Sequence, residues 1–72
     1  MKARLYGRAY CHLCEEMAQA LRALGVDFEE IDVDSDARLD ELYGADVPVL
    51  QRADGTEICR HRLSPEAIAK LS

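Results

Sequence analysis

The order of apolar and polar positions divides the chain into strand-like and helix-like runs. Between Lys2 and Gly7, Ala3 and Leu5 stand at alternate positions, which predicts a first strand with those two side chains on a core. From His12 to Leu24 the spacing becomes helical. Leu13, Met17, Ala20, Leu21 and Leu24 form one apolar stripe, and Glu15, Glu16, Gln19 and Arg22 face away from it. Gly25 follows at the place where a left-handed residue ends a helix. Val26 to Asp34 predicts a second strand, with Ile31 and Val33 on one face and Phe28 on the other, so that both faces are partly covered. Two strands joined by a helix make a βαβ unit with a right-handed crossover.

The second half is shorter-grained. Ser35 or Asp34 caps a short helix whose apolar face is Leu39, Leu42 and Tyr43, and Gly44 stops it. Val47-Pro48-Val49-Leu50 is a third strand that begins at a proline, where the missing N–H costs the ladder least. Ala53-Asp54-Gly55 is a turn, and Thr56 to Arg62 is the returning strand of a hairpin. In the last helix Ser64 caps, Pro65 takes the first position, Leu63 staples onto Ile68, and Ile68 and Leu71 form the buried side. The order is βαβαββα. The architecture that accounts for every segment is α/β, a four-stranded mixed sheet covered by three helices.

Length and charge narrow the partners. Seventy-two residues make one domain, with no linker or repeat. A chain this small buries only about 60% of its extended surface. The formal net charge of -5 and a pI near 4.8 disfavour a general nucleic-acid binder. Met1 to Leu5 holds no apolar core of signal-peptide length, and no apolar run approaches the ~20 residues of a membrane span. A monomer in the cytoplasm, with no nucleic-acid or membrane partner, is expected.

The chemistry lies in Cys11-His12-Leu13-Cys14. Two cysteines separated by two residues either cycle between dithiol and disulfide or supply half of a metal site. The strand–turn–helix setting favours the redox reading. With Cys11 at the helix N-cap, its sulfur faces free N–H groups and the positive end of the helix dipole, and both stabilise a thiolate. Cys14, one turn later, would resolve. A disulfide between them closes so short a loop that chain entropy values it at only roughly 2 kcal/mol, which points to chemistry over stapling. Glu15 and Glu16 suit the dipole but oppose a depressed thiol pKa, so moderate activation is expected.

Arg8, Tyr10, His12, Val47 and Pro48 are the candidate substrate-binding residues. Arg8 is the charge placed to stabilise a thiolate or hold a substrate carboxylate, and its plainer reading is a solvated loop arginine. His12 lends positive charge or a proton, or is an exposed first-turn side chain. Val47, forced to be extended by Pro48, offers main-chain groups to a substrate strand. Cys59 and His61 alternate along the fourth strand and share a face. With the first two cysteines they number four zinc-type ligands, but the plainer expectation for Cys59 is a buried, unreactive thiol. Arg52, Arg60 and Arg62 on the hairpin guard an edge strand or dock an acidic partner.

Leu5-Tyr6 leading into Cys11-His12-Leu13-Cys14-Glu15-Glu16, Ile31-Asp32-Val33-Asp34, Tyr43-Gly44 before Val47-Pro48-Val49-Leu50, and the turn at Asp54-Gly55 together resemble the thioredoxin superfamily, and within it the small bacterial glutaredoxin-like proteins. The resemblance covers essentially the whole chain. It implies a thioredoxin-like fold, a cis Pro48 beside the cysteine pair, and thiol–disulfide oxidoreductase activity without a bound cofactor. It also implies protein or small-molecule disulfides as partners, with reducing equivalents from glutathione or a thioredoxin reductase system. Glutaredoxins usually place Pro-Tyr between the cysteines, a lysine where Arg8 stands, and a Gly-Gly with an acidic pair after the hairpin. This chain has His12-Leu13, Arg8 and Arg60-His61-Arg62-Leu63 instead. Two other classes use the same features. One is a metal module that holds zinc or copper through Cys11 and Cys14, with or without His12, or an iron–sulfur cluster shared between two subunits. The other is an adaptor without turnover.

Overall fold

Chain reversals fall at three local signals, and they set the layers of the molecule. The structure is a computed structural model that describes residues 2–71; Met1 and Ser72, the ends of the expected domain, lie outside the described residues. Strand β1 (Ala3–Gly7) leads through a loop into helix α1 (His12–Ala23). Strand β2 (Phe28–Asp32) continues through a 3-10 turn (Val33–Ser35) into helix α2 (Ala37–Tyr43). Strands β3 (Val49–Gln51) and β4 (Glu57–Arg60) form the hairpin, and helix α3 (Pro65–Leu71) closes the chain. The sheet order is β2-β1-β3-β4. Strand β1 runs parallel to β2 and antiparallel to β3, and β3 is antiparallel to β4.

Helix α1 ends as a Schellman motif. Gly25 takes φ +73°, its N–H bonds Arg22 O, and the Val26 N–H reaches back to Leu21 O. The turn into β4 is closed by Gly55 at φ +92° and by the Asp54 carboxylate, which accepts from the Thr56 N–H at 2.9 Å. At the start of α3 the Ser64 hydroxyl accepts from the Ala67 N–H at 3.1 Å.

Because β1 is central, both of its faces are covered. On one face Leu5, Leu50 and Ile58 pack against Met17, Ala18 and Leu21 of α1 and Ala67 of α3, with Phe28 beside them. On the other, Tyr6, Val33 and Val49 pack against Ile31, Leu39, Tyr43 and Val47. The rings of Tyr6 and Tyr43 stack with centroids 4.4 Å apart. Gln51, buried in β3, is satisfied by donating from Nε2 to the Tyr43 hydroxyl at 3.0 Å.

Several expectations shift. The buried line of α1 is Cys14, Met17, Ala18 and Leu21, and Leu24 is 49% exposed. Met17 and Leu21 face inward as expected, Cys14 and Ala18 join them, and Leu13 and Ala20 are only partly buried. The cap of α2 is Asp36, whose carboxylate accepts from the Arg38 N–H, because Val33–Ser35 is first used up in the 3-10 turn. Strand β2 therefore stops at Asp32. Leu42 and Ile68 point outward, and Ala67 rather than Ile68 is the buried residue of α3. Strand β3 starts one residue after Pro48, and β4 ends at Arg60, so His61 does not continue the face that carries Cys59.

Leu21→Ala should therefore cost about 2–5 kcal/mol, as large-to-small changes in a closed core do. Leu42→Ala should stay within about 0.5 kcal/mol. Urea denaturation of the two variants checks the assignment.

Candidate active site

Strand β1 delivers the chain to the start of α1, and Gly7, its last residue, lies directly against Cys14. A Cβ on Gly7 would stand 3.1 Å from the Cys14 Sγ and 3.2 Å from its Cβ, so a larger residue there fits only if Cys14 gives way by a few tenths of an ångström. The loop then turns through Tyr10, which holds φ +61° and is fully exposed. A left-handed backbone is uncommon for a residue this bulky. Cys11 follows in extended geometry, φ −100° and ψ 111°, as the N-cap of α1. Its Sγ accepts a hydrogen bond from the Cys14 N–H at 3.2 Å, and its carbonyl accepts the first helical bond from the Glu15 N–H.

Cys11 and Cys14 are joined as a disulfide, with Cα atoms 5.2 Å apart. Cys14 is 7% exposed and Cys11 is half-buried. One sulfur is reachable and its partner is covered, which is the asymmetry an attacking and a resolving thiol need. Cys59 is the free cysteine among the described residues. It sits in β4 opposite Leu50, and burial followed by the charge of Glu57 pushes its thiol pKa up. Its thiolate is therefore scarce at neutral pH.

The candidate substrate residues divide between two sides. Arg8 and Tyr10 line an open groove of about 460 Å³ between α1 and the β1–β2 edge, with Cys14 and Glu15 in its wall. The Arg8 guanidinium donates to Asp40 Oδ1 at 2.6 Å and lies 3.6 Å from Asp34 Oδ1, so its charge is shared with the 3-10 turn and α2. Its Nε is covered and has no partner among the described residues. His12 is exposed in the first turn of α1.

Val47 and Pro48 lie on the other side. The peptide between them is cis, and Pro48 is buried. The β1–β3 register pairs Tyr6 with Val49, and one further step sets Pro48 opposite Gly7, the residue that touches Cys14. No hydrogen bond to the main chain of Val47 is present among the described residues. Nor do the described residues gather three or more His, Cys, Asp or Glu side chains as a metal site.

Two features were not anticipated from the sequence. Gly7 carried no signal beyond ending a strand. Asp46 lies in the loop before Val47 and takes Arg60 from β4 as an ion pair, a contact that depends on the third dimension.

A four-stranded mixed sheet with a cysteine disulfide at the N-cap of its first helix defines a glutaredoxin-like protein of thioredoxin-like fold. The chain belongs to the glutaredoxin-like domain family (DUF836), which it matches over residues 2–71. It is 40% identical to protein Ne2328 from Nitrosomonas europaea, solved by NMR, with TM-score 0.84 over 99% of this chain and 91% of that one. It is 39% identical to the crystal structure of XcR50 from X. campestris, with TM-score 0.73 over 81% of this chain and 77% of that one. The solution structure of XcR50 aligns over 100% of this chain and 96% of its own, at 33% identity and TM-score 0.77. No curated protein matches the chain. No helix among the described residues is long and apolar enough to cross a membrane.

The Gly7–Cys14 contact makes a redox prediction. In the disulfide the Cys14 sulfur is tied to Cys11 and cannot turn away from an added methyl; in the dithiol it can change rotamer. Gly7→Ala should thus penalise the oxidised form and raise the reduction potential, by about 20–60 mV for an overpacking cost of about 1–3 kcal/mol. Equilibration against glutathione buffers reads the shift.

Proposed function

We propose that the protein is a thiol–disulfide oxidoreductase in which Cys11 attacks and Cys14 resolves. The observation that carries the reading is the Cys11 sulfur at the helix N-cap, accepting the Cys14 N–H, with the Cys14 sulfur covered beneath it. In the dithiol form the Cys11 thiolate attacks one sulfur of a substrate disulfide. A mixed disulfide forms and the other substrate sulfur leaves as a thiolate, taking a proton from solvent. Cys14, as its thiolate, then attacks Cys11 Sγ, the Cys11–substrate bond breaks, and the second substrate thiol leaves. Two electrons pass from the protein to the substrate, and the protein ends as the disulfide seen here.

The helix start serves both states. Its N–H groups and dipole favour sulfur anion on Cys11 before attack, and favour Cys11 as leaving group when the protein is reduced again. Protein or small-molecule disulfides are the substrates, and glutathione or a thioredoxin reductase system is the electron donor. A pair that must be re-reduced after each turnover suits a reducing compartment such as the cytoplasm. Val47, with its main chain unpaired, is the edge on which a substrate strand would lie. Tyr10, exposed immediately before Cys11, is an aromatic contact for that substrate.

Cys11→Ser should abolish disulfide reduction. Cys14→Ser should still attack once and hold the substrate as a mixed disulfide, which mass spectrometry detects as an adduct on Cys11. Turnover by Cys11→Ser, or an adduct on Cys59 in its place, would remove the assignment.

A further inference from the structure

The segment from Asp46 to Pro48 joins α2 to β3 without regular secondary structure, yet it is held from one side by the end of β4. Arg60 Nη1 donates to Asp46 Oδ2 at 2.5 Å. The main-chain N–H of His61 donates to Pro48 O at 2.8 Å. The His61 imidazole Nε2 lies 3.7 Å from Asp46 Oδ1. Asp46 and Pro48 are thus both tethered to neighbouring residues of the same strand end, and Val47 stands between them with its N–H and C=O unbonded among the described residues.

The tether is built with some local cost. His61 takes φ +68°, and the Arg62 N–H bonds back to Arg60 O at 2.8 Å, which makes the less common form of γ-turn around His61. That turn swings the His61 N–H onto Pro48. Arg60 is fixed beforehand by Glu57, whose Oε1 accepts from Nε at 2.9 Å and lies 2.8 Å from Nη2. The same contact holds the Glu57 carboxyl below its usual pKa. The side chains of Arg60 and Asp46 are 34% and 42% exposed, and ion pairs that open to water contribute little to stability. A charge meant only to guard an edge strand needs neither the partner on the adjoining loop nor the strained turn.

We propose that Arg60 and His61 are positioning residues that hold Val47 as a ready-made strand edge, and that this strap makes the site select disulfides in extended polypeptide over small disulfides. The inference rests on the oxidoreductase reading. An extended substrate segment would pair with the Val47 main chain, and an edge held rigid before binding has less ordering entropy left to lose. A disulfide too small to reach that edge gains nothing from it.

The test compares two probes, an unstructured peptide containing one disulfide and bis(2-hydroxyethyl) disulfide, with kcat and KM measured for each. Arg60→Ala should raise KM for the peptide about three- to tenfold, with kcat little changed and the small disulfide turned over as before. Arg60→Lys, which keeps the charge, should restore part of the peptide KM. His61→Gly, which keeps the left-handed turn, should leave the peptide KM near that of the parent, whereas His61→Val, which disfavours that turn, should raise it. The His61 pair and Arg60→Lys carry the test if Arg60→Ala does not fold. Equal losses on both probes, or an unchanged peptide KM in folded Arg60→Ala and His61→Val, would overturn the proposal. A parent protein that reduces neither probe would instead overturn the oxidoreductase reading, and the strap with it.

Discussion

A hydrogen bond from the Cys14 N–H to the Cys11 sulfur joins the chemistry of this protein to its fold. Every helix begins with N–H groups that have no partner within the helix. Here a sulfur takes one of them. As a thiol or in a disulfide, sulfur is a weak acceptor; as a thiolate it carries charge, and the same contact strengthens. The helix start therefore favours the thiolate form of Cys11, without any side chain recruited for the purpose.

The geometry around that bond follows from the central strand. β1 has a neighbour on each side and a packed layer above and below, so its C-terminal end is fixed in position. It ends at Gly7, and the absent side chain lets α1 come close enough for Cys14 to be covered by the sheet. The fully exposed Tyr10, in its left-handed turn, brings the chain from the strand into the cap. The other half of the site comes from the hairpin side, where β3 places Pro48 one register step past the Tyr6–Val49 pair. Arg22, near the far end of α1, bonds Glu30 of β2 at 2.6 Å and lies over the Phe28 ring, but Arg22 and Glu30 are both exposed, so it is the buried face of α1 that holds the helix to the sheet.

Most of this architecture was legible in the sequence, because local rules and the global fold agree. The helix from His12, the left-handed Gly25, the serine cap and Pro65 start of α3, the turn at Gly55 and the order of elements all follow from periodicity and backbone chemistry. The cysteine pair at a helix start was legible for the same reason. What was not legible depends on which neighbours meet. Leu24, Leu42 and Ile68 fit apolar stripes, but short helices on a small sheet have room to bury only part of such a stripe. Ala18 and Ala67 win the inward positions because their size allows close approach. Asp36 displaced the expected caps because Asp32 and Ser35 were already bonding within the 3-10 turn. Arg8 was read as a charge for the site; its bonds to Asp40 and its approach to Asp34 could not be seen before α2 was folded against the loop. The pairing of Arg60 with Asp46 is long-range in the same sense.

The claim that the helix start activates Cys11 is tested most directly by the pH dependence of alkylation of the fully reduced protein, followed residue by residue by mass spectrometry. The account predicts that Cys11 reacts first and reaches half its maximal rate below about pH 8.5, the ordinary midpoint of a free thiol, while Cys59 lies above it. A Cys11 midpoint at or above that of a free thiol, or reaction of Cys14 ahead of Cys11, would contradict it.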